Sequence, residues 1–194
     1  MRVGIFGGTF DPPHLGHFLA ASDAADALSL DRVIWVPAAQ QPLKTGGMAA
    51  AADHRLAMVR LAVEGDARFE ADALELERGG LSFTVETLWA FRDRFPGAAL
   101  FLLLGADAAA LLPKWREPET VQALADVVVL TRGEEGTVLP TGVNTLATRR
   151  VDISATEIRE RVAAGHSIRG FVPDAVAAYI AAHGLYHSRG LHVQ

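Results

Sequence analysis

Four short apolar runs constrain the fold more than anything else in this chain. They are Arg2 to Phe6, Arg32 to Val36 (RVIWV), Leu100 to Leu104 (LFLLL) and Asp126 to Thr131 (DVVVLT). Each is too short for a helix, and none alternates with polar residues, so each reads as a strand buried on both faces. Arg68 to Ala71 and Leu146 to Val151 are expected as two further strands. Helical patterns fill the gaps: Leu15 to Leu28, His54 to Ala62, Phe83 to Phe95, Ser154 to Ala164 and Pro173 to Ala182, with Gly184 as a C-cap. Leu111 to Ala125 is expected as two short helices interrupted by Pro113 and Pro118. Strand and helix in alternation make βαβ units, so the expected class is α/β, a Rossmann-like doubly wound parallel sheet. Such sheets bind ligands at the carboxyl ends of their strands, where the strand order reverses.

The 194 residues suit a single domain spanning 1–194, with no repeat, linker or low-complexity tail. Cysteine is absent, which excludes disulfides and thiolate chemistry and fits a cytoplasmic setting. No secretory leader is expected, and no apolar stretch is long enough to cross a bilayer. The net charge of −5 argues against nucleic acid as a partner but leaves room for one small anion held by local donors. Gln40 to Met48, with Pro42, Gly46 and Gly47, reads as a mobile loop, and Gly133 to Gly142 as a polar one.

Between the first strand and the first helix lies Gly7 to His17, GGTFDPPHLGH. Gly7 and Gly8 let backbone N–H groups approach an anion, Pro12 and Pro13 stiffen the exit, and the helix that follows turns its positive end toward the glycines. The lysine and hydroxyl of a P-loop are missing, and so is the G-x-G-x-x-G pattern. His14 and His17, three apart at a helix start, share one face and could both donate to one triphosphate, which would favour their cationic forms. The plainer alternative is a surface histidine beside a helix-capping one. A metal site would need further ligands, and no second cluster is evident.

A second helix start lies at Asp152 to Arg159, DISATEIR. Ser154 and Glu157 form a capping box, which could be all there is. Thr156 and Arg159 fall on the same side of the first turns and could join it in holding an anion.

GGTFDPPHLGH resembles the HxGH signature of the nucleotidyltransferase superfamily, and DISATEIR resembles its ISxTxIR motif. The resemblance implies the nucleotidyltransferase fold, with His14 and His17 as the catalytic pair on the triphosphate. Gly7, Gly8, Thr9 and Phe10 would line the ATP site, and Asp11 would shape the turn. Ser154, Thr156 and Arg159 would hold the β- and γ-phosphates, Arg159 with a catalytic share.

The middle of the chain narrows the family. Glu75 to Leu88, ELERGGLSFTVETL, could be only a turn at Gly79–Gly80 followed by a helix capped by Ser82. It also resembles the E-x-x-R-x-G-x-S-[YF]-T-x-x-T-L segment of bacterial nicotinate-nucleotide adenylyltransferases. That likeness points to Phe83 and Thr84 as the step that recognises a pyridine carboxylate. Gly105-Ala106-Asp107 with Trp115 resembles the same family's G-x-D…W segment, implying that Gly105 and Asp107 lie near the nucleotide ribose and that Trp115 stacks on the pyridine ring. Core packing is the alternative for Trp115. His183 to Tyr186, HGLY, resembles the family's chain ending. Two departures stand out: the loop that often reads PPHK is here Gln41-Pro42-Leu43-Lys44, keeping Lys44 for a phosphate, and Phe83 replaces a tyrosine.

The resemblance implies that ATP, with Mg²⁺ carried on its phosphates, and nicotinate mononucleotide give the dinucleotide and pyrophosphate. The acceptor phosphate would attack in line, needing no protein base. Phosphopantetheine adenylylation, a preference for the nicotinamide nucleotide, and a nucleotide sensor without turnover are the rivals. A homo-oligomer is compatible with such a chain.

Overall fold

The computed structural model describes residues 1–43, 47–131 and 139–187. Among these, six strands form one parallel sheet: β1 (Arg2–Gly8), β2 (Arg32–Pro37), β3 (Phe69–Ala71), β4 (Ala99–Gly105), β5 (Asp126–Thr131) and β6 (Asn144–Ala147). Their order is β3-β2-β1-β4-β5-β6. The chain builds outward from β1 through β2 to β3, then returns to the other side of β1 with β4. The order therefore reverses between β1 and β4, the position where ligand crevices open in such sheets.

Successive residues of each strand face opposite sides, and both sides are covered. Val3, Ile5, Ile34, Leu102 and Val129 pack with Val85, Leu88 and Phe91 of α4 (Thr84–Arg94), Ala109 of α5 (Ala106–Ala110), and Val121 of α6 (Pro118–Leu124). On the other side, Val33, Trp35, Phe101, Leu103 and Val128 meet Ala21, Ala24 and Ala25 of α1 (Leu15–Ala27), and Val59 and Val63 of α2 (Ala52–Val63). A third cluster joins α2 to α7 (Ala155–Ala163) and α8 (Asp174–Ala182) through Met58, Ala62, Ile158, Val162, Val176 and Ile180. The helix carrying the second phosphate motif thus packs on α2, on the same side of the sheet as α1.

One element was not foreseen, and two local expectations need correction. Leu74–Arg78 is a short helix, α3, where the charge density of the sequence hid any periodicity. The helix after β4 begins at once, with Gly105 as its N-cap, and Leu112–Lys114 follows as a 3₁₀ turn before α6. The last strand is Asn144–Ala147 rather than Leu146 to Val151, because an edge strand pairs on one side only and tolerates the polar, exposed Asn144 and Thr145. Residues 132–138 of the expected polar loop lie outside the described residues. At the end of α8, Gly184 follows the C-cap His183 with φ 58°, the left-handed position expected of it.

Candidate active site

β1 delivers the chain into the turn, and the turn is built from beneath. Gly8 is needed for space: a Cβ there would lie 2.9 Å from the Phe10 ring. Phe10 takes the left-handed conformation, φ 50°, and its ring is 2% exposed against Phe6, Trp35 and His17. The expectation that Phe10 lines a nucleotide site therefore cannot rest on its side chain; only its backbone is available. Thr9 Oγ1 is buried and has no hydrogen-bond partner among the described residues. Asp11, 4% exposed, accepts the N–H groups of Ala49 (2.6 Å) and Ala50 (3.1 Å) and the hydroxyl of Tyr186 (2.7 Å). It shapes the turn, as expected.

His14 is the N-cap of α1, and His17 is its third residue. Each Nδ1 accepts the other residue's backbone N–H at 3.3 Å, a capping box made from two imidazoles. The rings stack at 3.6 Å, and a Cβ on Gly16 would come within 3.0 Å of His14 Nδ1. With both Nδ1 atoms accepting, the neutral rings carry their protons on Nε2. Capping by Nδ1 does not use Nε2, so the capping role does not by itself exclude a second role for either ring.

The second motif comes to the same place. Ser154 is the N-cap of α7, its Oγ accepting the Glu157 N–H at 3.1 Å. Arg159 Nη2 donates to Thr156 Oγ1 at 3.0 Å, and its Nη1 crosses to the Asp11 carbonyl at 2.8 Å. Residues 148 positions apart in sequence are thus in direct contact.

Beside the turn opens a cleft of about 770 Å³ at the carboxyl ends of β1, β2, β4 and β5. Gly7 and Gly8 form one wall, and Phe83, Thr84, Gly105, Asp107 and Trp115 are among the residues of the others. Thr84 opens α4, whose N-cap Phe83 provides no side-chain cap. Trp115 both lines the cleft and packs against the first core cluster. Lys44 lies outside the described residues.

Residues 5–161 match the family model described as cytidylyltransferase-like. A Gemmatimonas aurantiaca protein named probable nicotinate-nucleotide adenylyltransferase is 54% identical, covering 96% of this chain and 92% of its own. A Thermus thermophilus protein of the same name is 47% identical, covering 96% of this chain and 100% of its own. The chain belongs to the nicotinate-nucleotide adenylyltransferase family. In fold, it resembles the Plasmodium falciparum nicotinic acid mononucleotide adenylyltransferase solved with NaAD: TM-score 0.77, 17% identity, 95% of this chain and 97% of that one.

Arg116, which lines this family member's cleft, was not singled out from sequence. Arg116 places its guanidinium 4.8 Å from the Phe83 ring centroid and pairs with Glu86 at 2.8 Å, fixing the aromatic from outside. Ser82 does not cap α4 as expected. Its Oγ accepts the Ala39 N–H at 2.9 Å, while its own N–H donates to the Gln40 carbonyl, tying the β2 exit to the Phe83 step.

Glu75 is 7% exposed and accepts the Thr87 hydroxyl at 2.6 Å. Burial pushes its carboxyl above the ordinary value; hydrogen bonds from Thr87 and Ser82 and the charge of Arg78 pull it partly back. The folded state thus holds this proton more tightly than the unfolded chain does. That contribution to stability is complete below the ordinary value of about 4.3 and is lost as pH rises through the raised one. Denaturant titrations from about pH 4 to 7 should show the wild type losing stability relative to Glu75→Gln as pH rises. A difference that stays constant or widens the other way would contradict this burial effect.

Proposed function

We propose that this protein transfers the adenylyl group of MgATP to nicotinate mononucleotide, releasing pyrophosphate and forming the dinucleotide. One observation carries this reading: a single cleft has the glycine turn on one side and the Phe83–Thr84 step with Trp115 on another. Gly7 and Gly8, where the turn begins, thus share one space with the aromatic step, which supports a site with a phosphate end and an acceptor end. The names of the relatives point the same way.

In this reading, an oxygen of the mononucleotide phosphate attacks the α-phosphorus of ATP. The bond from that phosphorus to the bridging oxygen breaks, and pyrophosphate carries away the electron pair. The nucleophile is already an anion, so the protein need supply only position and charge stabilisation. The Nε2–H groups of His14 and His17 donate to phosphate oxygens as charge moves toward the leaving group. Backbone N–H groups of Thr9 and Phe10, Lys44, and the Ser154, Thr156 and Arg159 set hold the rest of the triphosphate, with Gly8 lining the space beside them. Gly7 keeps the wall open, and Gly105 and Asp107 stand where the ribose would lie. Magnesium arrives as part of the substrate; the described residues contain no group of three or more His, Asp or Glu side chains suited to holding an ion. The nicotinate carboxylate meets the N-terminus of α4 at Phe83–Thr84, where the helix dipole favours a negative charge over a neutral amide.

Stacking on Trp115 is expected to dominate acceptor affinity. Trp115→Ala should raise KM for nicotinate mononucleotide about 10- to 100-fold, the ~1–3 kcal/mol of one stacked aromatic. Trp115→Phe should recover most of it, and an unchanged KM in a folded Trp115→Ala protein would remove Trp115 from the site. The reading itself is tested by pyrophosphate release from MgATP with nicotinate mononucleotide, nicotinamide mononucleotide and phosphopantetheine offered separately. Release should be fastest with the first. Release with phosphopantetheine alone, or with no acceptor, would overturn it.

A further inference from the structure

Arg55 belongs to none of the motifs above, yet it is one of the largest fully buried side chains, 1% exposed. It stands in the first turn of α2, and its Nη1 donates to the Thr9 carbonyl at 2.8 Å. Its Nε is buried and has no hydrogen-bond partner among the described residues. A buried guanidinium is expensive and makes a poor stabilising device in itself. Here it neighbours the Asp11 carboxylate, which Tyr186 also engages through its hydroxyl.

What Arg55 does to the turn follows from peptide geometry. The Thr9–Phe10 peptide is trans, since the one cis bond among the described residues is Asp11–Pro12. In a trans peptide the C=O and the next N–H point in opposite directions. By holding the Thr9 carbonyl down, Arg55 turns the Phe10 N–H away from the protein interior. Arg159 holds the second carbonyl of the turn, that of Asp11. Neither carbonyl can then swing toward an incoming anion. Phe10 is also left-handed, a conformation that is strained for a non-glycine residue. Such residues help form the concave N–H arrays that bind anions. The strain must be held in place by the surroundings, and the Arg55 tie is one of the restraints.

We infer that Arg55 is a positioning residue for the triphosphate: it aims the Phe10 N–H at the nucleotide, with Asp11 and Tyr186 holding the turn from the same side. The inference rests on the proposed function only in taking ATP as the ligand of the turn; it does not depend on the acceptor.

Binding of α,β-methylene-ATP with magnesium, measured by calorimetry, is therefore the direct readout. Arg55→Met should weaken binding about tenfold or more, the scale of one hydrogen bond to a charged group. Arg55→Lys should recover part of the loss. KM for nicotinate mononucleotide should not move, because its end of the cleft lies on α4 and Trp115. A merely structural Arg55 would lower the melting temperature and leave the dissociation constant of the folded protein at the wild-type value, which would overturn the inference. Should the Arg55 variants not fold, Tyr186→Phe removes only a hydroxyl from Asp11. It should weaken the analogue about threefold, and wild-type affinity there would count against the inference. Wild-type protein that binds the analogue but releases no pyrophosphate with nicotinate mononucleotide would refute the proposed function and leave this inference standing.

Discussion

His17→Asn is expected to lower turnover by ~10²–10³-fold while the melting temperature stays near wild type. Asparagine is the informative replacement because His17 has two jobs. Its Nδ1 accepts the His14 N–H at the start of α1, and the amide oxygen of asparagine can occupy nearly the same point. What asparagine lacks is the distal Nε2–H, the proposed donor to the charge that develops on the phosphates. His17→Ala would remove both functions, together with the ring's contacts to Phe6, Phe10 and Trp35, and would confuse a lost cap with lost catalysis. Pyrophosphate release at saturating substrates gives the rate, and thermal denaturation gives the control. A folded His17→Asn protein with wild-type turnover would mean that capping is all this histidine does.

Arg159→Ala should cost a comparable ~10²-fold or more in kcat/KM for ATP, and Arg159→Lys should recover little of it. The guanidinium donates at once to the Asp11 carbonyl and to Thr156 Oγ1, so its plane is fixed between α7 and the turn before any ligand arrives. A lysine ammonium has the charge but not the fork, and cannot span two acceptors while presenting further donors to a phosphate. If Arg159→Lys matched wild type, the charge alone would matter and the held plane would be irrelevant.

The sheet was legible because strands buried on both faces leave uninterrupted apolar runs, as in LFLLL and RVIWV. β6 was placed too far along, since an edge strand need not be apolar. α3 went unread because five residues with three charges carry no usable period. The turn after β1 and the Ser154 helix were readable because glycines, prolines and a capping serine stand at fixed spacing in each motif. Their contact through Arg159 and Asp11 was not, being made across the folded molecule. The inward turn of the Phe10 ring, set by its left-handed backbone, was not legible either. Arg55 left no signal at all. In HRLAMVRL it looks like the exposed face of an amphipathic helix, and only the packing of α7 and α8 on α2 makes that face an interior.

The turn after β1 is anchored from two distances. Ala49, Ala50 and Arg55 reach it from 38 to 46 residues away, through Asp11 and the Thr9 carbonyl. Arg159 and Tyr186 reach the same Asp11 from 148 and 175 residues away. None of these ties belongs to the strand ladders of β1, β2 and β4. The turn and the sheet can therefore be disturbed separately: a change at Arg159 or Tyr186 can loosen the turn while the strands stay paired.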